Sequence, residues 1–114
     1  MNYNMISEAA MAINPHNVKS PLKRLKHHRP IHYVPDWALA LGIWDNERAL
    51  LIRWNGDTDH PMGNPVSHAN PTWFVLPEDL HAVTLSLVSE PNRTSAMDWL
   101  AGGTPSKWTD PISN

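Results

Sequence analysis

Residues 37–44, WALALGIW, alternate with a period of two. Trp37, Leu39, Leu41 and Ile43 fall on one side, and Ala38, Ala40, Gly42 and Trp44 on the other. Successive side chains of a strand point to opposite faces, so the pattern predicts a strand with one bulky and one small face. The small face implies that something packs close against it. Asp45-Asn46-Glu47-Arg48 has the residue types of a turn, and Ala49-Leu50-Leu51-Ile52-Arg53-Trp54 reads as a second strand. The two are expected to form a β-hairpin over about 37–54. A helix capped by Asp36 competes with this reading, because Trp37, Leu41 and Trp44 also fit a 3.6 period. Gly42 and the polar turn argue against it.

Asn55-Gly56 opens an 18-residue polar loop, NGDTDHPMGNPVSHANPT. Loops of that length in compact domains are either functional or disordered. A third strand is expected over about 72–76, TWFVL. Pro77-Glu78-Asp79 is a helix opening, with proline early and carboxylates facing the positive end of the dipole. Leu80, Val83, Thr84, Leu87 and Val88 give that helix an apolar stripe, and it is expected to end near Glu90-Pro91. Further on, Ser95-Ala96-Met97-Asp98 resembles a capping box for a turn or two of helix stopped by Gly102-Gly103.

The flanks are thinner. Residues 4–13, NMISEAAMAI, suit a short helix. Pro15, Pro21, Pro30 and Pro35 then divide the chain, with a helix expected from Ser20-Pro21 to before Pro30 and an edge strand over 31–34. The reading that results is α+β. A small antiparallel sheet (hairpin about 37–54 plus strand about 72–76) is packed by one amphipathic helix over about 77–90, with extended N- and C-terminal arms. The domain organisation expected is a basic, proline-rich arm over 1–35, the α+β core over 36–90, and a short helix and tail over 91–114.

Leu, Ile, Val and Phe make up 24 of 114 residues, barely above the roughly 20% at which disorder becomes the default. Tryptophans must therefore supply much of the buried area, and four of the six lie between residues 36 and 90. Three strands and a helix are near the minimum for independent stability, so a homodimer is one expectation. There is no cysteine, which excludes disulfides, thiolate metal sites and cysteine nucleophiles. The first twenty residues lack a signal-peptide pattern, and no run reaches the roughly 18 apolar residues of a membrane span. The expected location is cytoplasmic, with no membrane partner.

Seven histidines suggest metal or proton chemistry, but H-E-x-x-H is absent and Pro30 separates His28 from His32. The loop offers the better donor set: Asp57, Asp59, His60 and His68 lie within twelve residues and could hold a divalent metal. No other cofactor is expected. Counting from Asn55 gives N-x-D-x-D, the start of an EF-hand. The match fails at position 6, which is His60, and at position 12, which is Val66. A solvated polar loop accounts for the same residues. Nucleophile elbows and phosphate-binding loops are missing. Ser20-Pro21-Leu22-Lys23 matches S-x-x-K without its partner motifs, and helix capping explains Glu78 and Asp79.

Charge is split along the chain. Residues 1–35 hold five bases and one acid, a balance of +4, and residues 36–114 hold four bases and ten acids, a balance of −6. Lys23, Arg24, Lys26 and Arg29 are candidate partner-binding residues, as are Trp99 and Trp108 in the polar tail. The leading expectation is a small non-enzymatic binding or regulatory protein acting through protein–protein contacts with an unidentified protein partner. One alternative is a metal-dependent hydrolase or nuclease using the 55–71 loop. Another is a nucleic-acid-binding module using the basic stretch 19–29.

Overall fold

A computed structural model describes residues 13–112. The helix expected over residues 4–13 lies outside them, Ile13 apart. The architecture is α+β. β1 (Leu25–Tyr33), β2 (Trp37–Trp44), β3 (Glu47–Trp54) and β6 (Phe74–Val75) form an antiparallel sheet in the order β1-β2-β3-β6, and β4 (Val66–Ser67) pairs with β5 (Asn70–Pro71). Two helices, α1 (His81–Leu85) and α2 (Asn92–Leu100), follow the last strand.

The β2–β3 hairpin forms as the alternation requires, with Trp37 opposite Trp54 and Trp44 opposite Glu47. Its turn is tighter than expected. Only Asp45 and Asn46 make it, both at positive φ (52° and 69°), which short polar side chains tolerate. Glu47 and Arg48 belong to β3. The two faces of the hairpin feed two cores. On the small face, Ala38, Ala40, Ala49 and Leu51 meet Val18, Leu25 and Trp73. On the bulky face, Leu39, Leu41 and Leu50 meet Ile31, Leu85, Val88 and Ala96. The close approach implied by the small face is real: a Cβ on Gly42 would lie 2.9 Å from both Leu25 Cδ1 and Leu51 Cδ1.

β1 corrects the expected helix after Ser20. Pro21 to Arg24 make a single turn, closed by Leu25 N donating to the Pro21 carbonyl at 2.9 Å, and the chain then runs as a strand. Two leucines are too few to hold a helix face: Leu25 enters the core, while Leu22 is 71% exposed. Pro30 is tolerated because β1 is the outer strand of the sheet. Register shifts between Lys26 and His28 and between Pro30 and His32 bend that edge.

The helix expected over 77–90 is also revised. A 3₁₀ turn, Glu78–Leu80, leads into the five-residue α1. Leu85 and Val88 face the core, whereas Leu80, Val83 and Leu87 are exposed, at 43%, 63% and 59%. Of the expected stripe, Val88 is buried and Thr84 half-buried, and Leu85, outside it, completes the core contact. α2 is longer than expected. It ends at Gly102 (φ +104°) in a paired cap: Gly102 N donates to the Trp99 carbonyl and Gly103 N to that of Asp98.

The tail is tied back onto this frame. Asn92, itself buried, donates through Nδ2 to the carbonyls of Ile31 and Thr109, and its Oδ1 accepts from Thr109 N. Ser95 Oγ donates to the Lys107 carbonyl at 2.6 Å. His16 Nε2 meets both Asp110 carboxylate oxygens at 3.0 and 3.1 Å, joining the two ends of the described chain. Among the described residues, no helix is long and apolar enough to cross a membrane.

Candidate functional site

The 55–72 loop has more structure than its composition suggests. Trp54 and Asn64 exchange backbone hydrogen bonds of 2.9 and 3.0 Å. Arg53, 2% exposed, donates through Nη1 to the Thr72 carbonyl and through Nη2 to the Met62 carbonyl, strapping both limbs of the loop to β3. Among the described residues no carboxylate pairs with this guanidinium, and burial pushes its pKa down to about 10. Within the loop, Asp57 Oδ1 accepts from the backbone of Asp59 and His60 and sits 3.2 Å from His60 Nδ1. These bonds, the His60 backbone N–H first, hold the Asp57 carboxyl below its ordinary value. His68 lies at the β4–β5 turn, at φ 51°. Asp57, Asp59 and His60 are thus drawn into one local turn, and His68 stands at the tip of a separate hairpin. Among the described residues, no group of three or more His, Cys, Asp or Glu side chains is arranged to hold a metal ion.

The six candidate partner-binding residues divide. Lys23 and Arg24 lie in the turn before β1, where Arg24 Nε is 3.7 Å from Asp45 Oδ1. Lys26 Nζ donates to the Leu22 carbonyl. Arg29, Trp99 and Trp108 are brought together from β1, α2 and the tail. Together with His27, His28, Leu41 and Gly42 they line a cleft of about 210 Å³. The Arg29 guanidinium lies 4.5 Å from the centroid of the Trp108 ring, and that of Arg48 lies 4.8 Å from the centroid of Trp99.

On the Leu100 side of α2 lies a groove that the sequence did not reveal. A cleft of about 340 Å³ is lined by Asp45, Glu47, Ala49, Leu76, Glu78, His81 and Leu100, among others. A second of about 290 Å³ is lined by Glu78, His81, Ala82, Leu85, Met97, Leu100 and Ala101. They share Glu78, His81 and Leu100, and so make one groove with an apolar floor and carboxylates at its lip. Glu47 and Glu78 form no ion pair among the described residues. Arg48 also lines the first cleft, with its Nη1 spent on the carbonyls of Trp99 and Gly103 at 2.7 and 2.6 Å. The only signal for this groove in the sequence was the pair Glu78-Asp79, which helix capping already explained.

No protein-family model, curated protein or solved structure matches the chain.

Proposed function

We propose that the chain is a small, non-enzymatic binding protein with a regulatory role in the cytoplasm, and that its groove takes a basic, apolar-anchored segment of a protein partner. The observation that carries this reading is the continuity of the groove through Glu78, His81 and Leu100. The apolar floor of Ala49, Leu76, Ala82 and Leu85 suits the hydrophobic face of a docked segment. Asp45, Glu47 and Glu78 suit Lys or Arg on its flanks, and would set orientation and association rate more than raw affinity. Met97, half exposed at the open end, suits a site that adapts to its occupant.

Selection of random peptides displayed on phage against the intact chain tests the reading. The enriched peptides should combine two or three apolar anchors with Lys or Arg. They should lose about tenfold in affinity on Met97→Lys and several-fold on Glu78→Lys. Both positions are exposed, so neither change threatens the fold. Enrichment of acidic peptides, or binding indifferent to both substitutions, overturns it.

A further inference from the structure

The cleft on the Trp99 side of α2 has a chemistry opposite to that of the groove. Two indoles, Trp99 and Trp108, line it together with Arg29, His27, Leu41 and Gly42. Aromatic rings and guanidinium groups are the surfaces on which unpaired bases stack. Here the Arg29 guanidinium lies over the Trp108 ring at the cleft wall and offers a planar cation for a base to meet, while the arginine over Trp99, Arg48, lines the neighbouring groove instead. A space of about 210 Å³ admits a single planar ring with part of its sugar, and not a stacked pair of bases.

The cleft opens at the outer strand of the sheet. Lys26, His27 and Arg29 are exposed along β1, and Lys23 and Arg24 are exposed in the turn that feeds it. At about 3.3 Å per residue, Lys26 to Arg29 spans about 10 Å of edge. The bulge at His27 (φ 54°) bends this edge. Asp110, whose carboxylate meets His16 Nε2 and also feels the Arg29 charge, offsets part of this field, as Asp45 does beside Arg24, and Lys23 and Lys26 keep the edge positive.

We propose that this cleft binds single-stranded nucleic acid, one base seated against Trp99 and Trp108 and the phosphates following Arg29, Lys26, Arg24 and Lys23 along the edge of β1. Bases in a duplex are stacked on each other and cannot enter, so binding discriminates against the double-stranded form. Recognition is by stacking and charge, and is therefore tolerant of sequence. The site is distinct from the peptide groove, which uses Leu100 where this cleft uses Trp99, and the two share a boundary at Arg48 and at the Arg24–Asp45 pair.

Titration of the intact chain with fluorescein-labelled ten-nucleotide oligothymidylate and oligouridylate, read by anisotropy and by quenching of intrinsic tryptophan fluorescence, tests it. Binding should weaken with salt, with a log–log slope of about −2 to −3 for three or four phosphates. Replacing Lys23, Arg24 and Lys26 together by Gln should reduce that slope by about 2. Trp108→Leu should weaken binding by about 5- to 100-fold at constant salt. Because Trp108 also packs the tail, Arg29→Gln serves as the second variant. Its side chain is exposed, and the loss should exceed tenfold without a change in the circular dichroism spectrum. A duplex of equal length should bind at least tenfold more weakly. Absence of binding overturns the proposal. So does competition by polyphosphate or by an oligoglutamate peptide at the same concentration as the oligonucleotide, and so does an affinity that Arg29→Gln leaves unchanged.

Discussion

Arg48 grips Trp99 twice: its guanidinium carbon lies 4.8 Å from the centroid of the indole, and its Nη1 donates to the same residue's carbonyl oxygen at 2.7 Å. A second bond reaches the Gly103 carbonyl at 2.6 Å. One cation on β3 therefore satisfies two carbonyls in and just beyond the last turn of α2, where the helix dipole favours positive charge. That last turn stands between the two candidate sites. Trp99 is turned to the basic cleft and Leu100 to the acidic groove, so Arg48 sets the position of both walls.

Arg48→Gln should cost about 1–2 kcal/mol, from the loss of charge-assisted bonds and of the contact with the ring. Urea denaturation measures it. Arg48→Lys should recover part of the loss, because the charge persists while the fork of donors does not. Equal stability of all three chains would show that α2 is held by its buried face and the Asn92 and Ser95 bonds without help from Arg48.

Glycine substitutions should rank by what surrounds each position. Gly102 has φ +104° and open space around its missing Cβ, so Gly102→Ala should cost about 1 kcal/mol of backbone strain. Gly63 has φ +64°, and its Cβ would be pressed against the Trp54 carbonyl oxygen and Arg53 Nη2. Gly63→Ala adds that clash to the same strain and should cost at least twice as much. Thermal midpoints of the two variants give the order directly.

The hairpin was legible because a period of two leaves few alternatives over sixteen residues. Of β1 only the end was legible, as the edge strand expected over 31–34; its first half was not, because an edge strand is free to carry what a central strand excludes. Lys26, His27, Arg29 and Pro30 disguise it as an arm, and Leu25 and Ile31, which enter the two cores on opposite faces, are its apolar marks. Of the expected stripe Leu80, Val83, Thr84, Leu87 and Val88, only Val88 is buried and Thr84 half-buried, while Leu80, Val83 and Leu87 face outward. Periodicity cannot say which side of an apolar stripe turns inward, and here the side shared by Val88 and Leu85 does. The convergence of Arg29 with Trp108 joins residues 79 positions apart, and the strapping of the loop by Arg53 joins a strand to two carbonyls. Neither leaves a local trace in the chain.

Two histidines make stability depend on pH. Burial lowers the pKa of His28, outweighing the opposing effect of the Pro15 carbonyl 3.0 Å from Nε2, and burial likewise lowers that of His32. Near pH 6 the unfolded chain, with its imidazoles close to 6.5, binds more protons than the folded one. Stability is therefore full above about pH 7 and falls as the pH drops through 6.5 toward the folded values. The urea midpoint should decline between pH 8 and pH 5.5. His32→Phe, which keeps a ring 4.8 Å from Trp37 and cannot titrate, should flatten part of that decline. Ring-proton NMR should place both histidines below 6.5.

Arg53 is the most exacting test of how the loop is held. Among the described residues its buried guanidinium has no carboxylate beside it, which costs desolvation, and its Nε has no hydrogen-bond partner. It is retained in this position by the two carbonyls it bonds, those of Met62 and Thr72, which no other donor reaches among the described bonds. Arg53→Met keeps an unbranched stem out to the position of Nε and removes the charge and both Nη donors. If charge burial dominates, the variant is as stable as the parent or more so. If satisfaction of the two carbonyls dominates, it loses about 2 kcal/mol, because truncating one side of a buried bond leaves the other unpaired. We expect the second result, since both carbonyls belong to the backbone and cannot rotate away without unfolding the loop. Hydrogen exchange separates the two. In the variant, the amides of Asn64 and Thr72, now bonded to Trp54 and Pro65, should exchange at least tenfold faster, while those of β2 follow only the global change.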